Sequence, residues 1–174
     1  MIRVVALGPG APDAVPAAAL AALEGAGTVL APDLPPGLAD ALPAPPRPLP
    51  PLDRLPDGAT IAAPDAEAHR LARAVPGAET LPGREALRAR AIGAEVARLA
   101  EVGARLRREC PWDREQTAET IVPHTIEEAF EVAEAVASGE GLADELGDLL
   151  FQSVFLARLL EEEGGADLAE VARG

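Results

Sequence analysis

Five carboxylates in the last third of the chain have the types and spacing to hold a cation: Glu127, Glu128 and Glu131 in TIEEAFEVAEAV, then Glu145 and Asp148 in LADELGDLLFQSVF. Both stretches read as helices. At 3.6 residues per turn Glu128 and Glu131 share a face of the first, as Glu145 and Asp148 do of the second. Gly139-Glu140-Gly141 lies between them and can fold the chain back into an antiparallel hairpin. At about 1.5 Å per residue from that turn, the two acidic pairs stand within roughly one helical turn of the same height. Four converging oxygen donors suit a hard cation such as Mg²⁺.

The second helix argues most strongly for a site. From Leu142 to Leu160 it is apolar nearly all round, the signature of a buried helix, and Glu145, Asp148 and Gln152 interrupt it as one narrow polar stripe. Carboxylates buried there need a cation or a charged partner. In the first helix Ile126, Ala129, Phe130, Ala133, Val136 and Ala137 are expected to form the core-facing side. Glu127, Glu128, Glu131 and Glu134 then lie opposite, where a solvated acidic face is the alternative for Glu127 and Glu134.

The surrounding elements follow from composition. At 174 residues the chain has room for one full domain or two small ones, and its charge favours two. Residues 1–91 hold ten acids and eight arginines, residues 92–174 nineteen acids and seven arginines, so the second part carries a net −12. That surface repels nucleic-acid phosphates, which argues against duplex DNA or RNA as a partner. A small polyphosphate is compatible only if metal ions screen the carboxylates. A single cysteine, Cys110, excludes an intrachain disulfide and fits a reducing, cytoplasmic setting. No signal peptide and no membrane span are expected.

The first part reads as α/β: strand Ile2–Leu7, the Gly8-Pro9-Gly10 loop, helix Ala14–Gly25 and strand Thr28–Leu30. Ten of the eighteen prolines fall in residues 32–57, which form either an irregular extended connection or a polyproline linker. A second, weaker unit follows, with strand Ala59–Ala63, helix Asp65–Val75 and a short edge at Glu79–Leu81. After Pro82-Gly83 the chain is helical. Ile92, Val96, Leu99, Val102 and Leu106 mark one helix from near Arg84 to just before Cys110-Pro111. A short helix is expected around Glu115–Ile121, with Pro123 starting the approach to the acidic helix. The expected fold class is a two-part α+β chain, a small incomplete α/β module over 1–83 and an all-α domain over 84–174.

CPWDREQT, EEAFE and DELGDLLFQ, in this order and spacing, resemble the MazG family of nucleoside triphosphate pyrophosphohydrolases. The resemblance covers roughly residues 84–174 and implies an all-α fold. In it Mg²⁺, or Mn²⁺, is held by the acids while a nucleoside triphosphate is hydrolysed to the monophosphate and pyrophosphate. On that reading Glu128, Glu131, Glu145 and Asp148 are the metal ligands. Glu127 holds a second metal or activates water. Trp112 either stacks on a base or plugs the helix corner, the plug being favoured; Gln116 reaches substrate or caps locally; Arg114 meets phosphate or forms a surface ion pair. The apolar second helix and the resemblance both point to a homodimer. Family members are expected to continue past the position of Gly174 with a basic helix, so the resemblance leaves open a protein that binds metal and nucleotide, or scaffolds, with weak catalysis. Val4–Gly10 with Asp13 also resembles the opening of a tetrapyrrole methylase domain. In about 80 residues the loop reads as a structural turn, and methyl transfer is a remote alternative.

Overall fold

The computed structural model describes residues 1–174, which divide into two compact units, Met1–Glu95 and Val96–Gly174. Five short parallel strands build the first unit: β1 (Arg3–Ala6), β2 (Val29–Ala31), β3 (Arg47–Pro48), β4 (Thr60–Ala63) and β5 (Glu79–Leu81), ordered β3-β2-β4-β1-β5. Arg3 pairs with Thr60 on one side and Glu79 on the other. The central strands are buried on both faces, as their unbroken apolar runs require. Helix α1 (Ala17–Glu24) packs Ala19 and Leu23 with Val5, Leu7 and Ala62. Helix α2 (Asp65–Ala74) packs Ala68, Leu71 and Ala72 with Val4, Ala6 and Ile61.

The proline-rich stretch is part of this unit rather than a polyproline linker. Leu38 is fully buried and Leu42 nearly so, both in the core beneath α1. Arg47 and Pro48 add an edge strand, a place in a sheet where proline's missing N–H is tolerated.

Gly8-Pro9-Gly10 is a structural turn, as expected. The Gly8 N–H donates to Asp65 Oδ1 at 3.0 Å, and the Asp65 N–H returns a bond to the Gly8 carbonyl at 2.8 Å. Arg90 donates to both Asp65 oxygens, at 2.8 and 2.7 Å. At φ +89° Gly8 admits no side chain, because a Cβ would stand 2.6 Å from the Ala14 carbonyl oxygen.

Helix α3 (Arg84–Glu109) begins where Pro82-Gly83 predicts, and its first turns give Leu87 to the sheet's core. The helical run therefore starts at Arg84, while the first compact unit extends to Glu95. The second unit continues with α4 (Pro111–Glu115), α5 (Ala118–Ser138), α6 (Leu142–Glu162) and α7 (Leu168–Arg173). Thr117 and Thr120 close a reciprocal capping box at the start of α5. Pro123 lies inside α5 instead of preceding it. It forfeits one backbone bond, to Glu119, near the helix start, and the capping box holds the turn it would loosen. Gly139 and Gly141, at φ +78° and +74°, turn the chain between α5 and α6. No helix is long and apolar enough to cross a membrane.

Candidate metal centre

Ile121 on α5 packs against Phe155 and Leu159 on α6, with Phe151 and Leu156 at the margin, and this small core sets the rotation of the hairpin. Glu128 is seven residues, two turns, beyond Ile121, so the packing that buries Ile121 also turns Glu128 toward α6. Glu145 and Asp148 meet it there. Glu128, Glu145 and Asp148 each bring one carboxylate oxygen to within 4.8 Å of the others. Cation–oxygen distances of about 2.0–2.1 Å place ligand oxygens roughly 2.9–4.2 Å apart in an octahedron, so modest side-chain rotation closes the set. An all-oxygen, trianionic donor set fits Mg²⁺ or Mn²⁺ and offers nothing to a soft metal.

The electrostatics show the cost of assembling these groups without a cation. The Glu128 pKa is raised above the usual carboxylate value first by desolvation, then by the charges of Glu131 and Asp148 and by the hydrogen bond its protonated form donates to Glu131; a hydrogen bond from Gln152 works the other way. Glu131 therefore adjoins the cluster through Glu128, although it is exposed and outside the trio of close oxygens. Gln152 completes the polar stripe seen in sequence. Glu127 is exposed and turned toward His124, its Oε2 lying 3.3 Å from Nδ1.

Two expectations about burial are corrected. Asp148 is exposed and Glu128 and Glu145 are half-buried, so the cluster is an open acidic patch rather than an enclosed one. The side of α5 expected to face the core instead faces out: Ile126, Phe130 and Val136 are 52, 68 and 64% exposed. Leu142, Leu146 and Leu150 likewise form an exposed stripe on α6. The cause is the same on both helices. Their apolar residues circle most of the axis, and within one chain only the side carrying Ile121, Ala135, Val154, Phe155 and Leu159 finds neighbours.

The Cys-Pro-Trp-Asp corner is corrected too. Trp112 is 54% exposed and plugs nothing; its ring meets His124 edge-on at 6.0 Å. Gln116 caps locally, donating from Nε2 to the Trp112 carbonyl at 2.9 Å and accepting from Thr120 Oγ1 at 2.8 Å. Arg114 is exposed and makes no ion pair. The residue that anchors this corner is Arg107, which sequence reading passed over. Its Nη1 donates to the carbonyls of Asp113 and Gln116, while Nε and Nη2 hold Glu162. In RLRRE nothing distinguishes Arg107 from its neighbours except the helix phase that directs it inward.

Known proteins share this stretch. Residues 116–174 match the MazG nucleotide pyrophosphohydrolase domain. All the clustered carboxylates lie inside the matched residues. The chain is 46% identical over 82 residues to the nucleoside triphosphate pyrophosphohydrolase of Escherichia coli K12, covering 44% of this chain and 31% of that protein. It is 41% identical over 66 residues to the Thermotoga maritima nucleoside triphosphate pyrophosphohydrolase/pyrophosphatase MazG, covering 37% and 26%. An uncharacterized 26.1 kDa protein of Streptomyces cacaoi is 35% identical over 97 residues, covering 55% and 38%. The chain thus matches about a third of the length of these relatives, and the MazG match begins well beyond the β-sheet unit.

Proposed function

We propose that this chain is a metal-dependent nucleoside triphosphate pyrophosphohydrolase. The observation that carries the reading is the convergence of Glu128, Glu145 and Asp148 across the α5–α6 hairpin, inside the segment that matches the MazG domain. Glu128, Glu145 and Asp148 hold Mg²⁺, or Mn²⁺, with Glu131 completing the set beside Glu128. A cation held by these residues would supply charge to neutralise triphosphate oxygens and would lower the pKa of water at the site. Glu127, exposed and 3.3 Å from His124, is the residue we assign to take a proton from the attacking water. Water adds to phosphorus, the bond between the α and β phosphates breaks, and nucleoside monophosphate and pyrophosphate leave. Trp112 offers a ring face for the base, and Arg114 a free guanidinium for phosphate.

A homodimer belongs to the same proposal. The outward stripes Ile126–Phe130 and Leu142–Leu146–Leu150 are more apolar surface than a small helical unit leaves to water without a partner, and a second copy supplies matching helices. The reading is tested by incubating the protein with Mg²⁺ and a panel of nucleoside triphosphates and assaying pyrophosphate. Release that depends on metal and disappears in Glu145→Gln and Asp148→Asn supports it; release unchanged in those variants, or nucleotide binding with no product, refutes it.

A further inference from the structure

We propose a second, metal-independent anion site in the first unit, formed where the end of α2 meets the start of α3, for a small ligand carrying two or three linked phosphates. A cavity of about 370 Å³ there is lined by His69, Arg73, Arg84, Glu85 and Arg88 over an apolar floor of Ala72 and Leu87. The volume falls within the range of small-molecule pockets. Its charge runs against the rest of the molecule. In a chain of net charge −14, three arginines and a histidine surround one glutamate.

The arginines are not spent on ion pairs, unlike Arg70 on the same helix, which is bound to Glu67. Arg73 and Arg88 are exposed and make no salt bridge. Arg84 is fixed in place, its Nη1 donating to the Ala72 carbonyl and its Nη2 to the Ala78 carbonyl, each at 2.8 Å. A guanidinium has five donors, so two carbonyls orient it without exhausting it. Arg73 in the last turn of α2 also complements that helix's dipole, which accounts for one cation but not three. Arg84 and Arg88 open α3, whose first-turn N–H groups favour negative charge at the same place. Planar, permanently charged forks around a concave space match the oxygens of an oligophosphate, free or borne by a nucleotide.

The test uses the full chain in EDTA, which removes the divalent ions that the acidic centre needs to bind phosphate. Pyrophosphate, tripolyphosphate and a nucleoside triphosphate are titrated by calorimetry. Saturable binding of at least one is expected. Binding of the inorganic anions identifies the phosphates alone as the ligand, and binding of the nucleotide only identifies a phosphorylated nucleoside. R73A/R88A is expected to weaken the interaction by about tenfold or more, while R70A and Asp148→Asn leave it unchanged. The proposal is overturned by absence of saturable binding, by equal weakening in R70A, or by loss in Asp148→Asn. A thermal midpoint for R73A/R88A close to that of the parent excludes misfolding as the cause, and Arg73→Lys/Arg88→Lys should restore part of the affinity. Because the acidic centre is silent in EDTA, this result stands or falls independently of the pyrophosphohydrolase reading.

Discussion

Arg107 and Glu162 form a two-contact ion pair within the second unit, with Nη2 at 2.6 Å and Nε at 3.1 Å from the same carboxylate oxygen. Both are largely shielded from solvent, their side chains 15 and 29% exposed. The other face of the guanidinium is committed to the carbonyls of Asp113 and Gln116. One side chain thereby ties the end of α3 and the end of α6 to the corner that carries Trp112 and Arg114.

Removing that tie is expected to loosen the corner. Arg107→Ala leaves two carbonyls and a carboxylate short of a partner and should cost about 2–3 kcal/mol in denaturant unfolding. Arg107→Lys keeps the charge but cannot span the same set of acceptors, and should recover less than half of the loss. A variant as stable as the parent would show that the corner is held by other contacts.

Glu162 supplies a pH test. Its pKa is held below the ordinary value, first by the hydrogen bond from Arg107 and then by Arg158, with burial opposing. The folded state therefore favours the charged form, and the stability it contributes is present above the unfolded value and lost as pH falls through the folded one. Thermal midpoints measured from neutral pH downward should fall less steeply in Glu162→Gln than in the parent.

Glu128 has the opposite sign. Its raised pKa, caused by desolvation and then by Glu131 and Asp148, means that the fold holds a proton the unfolded chain has released. Without metal, stability declines as pH rises from the ordinary carboxylate value through the folded one. A divalent cation displaces that proton. Stabilisation by Mg²⁺ should grow across the same interval, with proton release visible as a buffer-dependent calorimetric heat, and Glu128→Gln should remove the pH-dependent part. Equal heats in buffers of different ionisation enthalpy would count against Glu128 as a ligand.

The apolar stripes make a prediction about assembly. Phe130→Asp and Leu146→Asp place charges at sites 68 and 48% exposed in one chain, so the fold should tolerate them. If a second copy covers these stripes, light scattering will show a dimer for the parent and a monomer for the variants, with helical content retained. A monomeric parent would remove the dimer from the proposal.

Much of this molecule was legible along the chain. Alternation of apolar runs with Gly and Pro located four of the five strands, because a parallel sheet buries both faces and its strands need no polar side, while the edge strand Arg47–Pro48 stayed hidden among the prolines. The three-and-four spacing located α3, and the acidic spacing located Glu128, Glu145 and Asp148, because helical phase is fixed by backbone geometry whatever the neighbours. Gly139 and Gly141 marked the hairpin, since a left-handed backbone there favours glycine.

Only the tertiary structure decided which faces are covered. Periodicity shows that a helix has an apolar side but not whether a neighbour exists to meet it. Phe130, Trp112 and Asp148 were all assigned more cover than one chain provides. Long-range polar ties were equally hidden. Asp65 to Gly8 spans 57 positions and Arg107 to Glu162 spans 55, and no local pattern records a partner that only folding brings near. The spacing of the carboxylates was thus a property of the chain, while their openness to solvent, and the arginine that steadies the corner of their unit, belong to the fold.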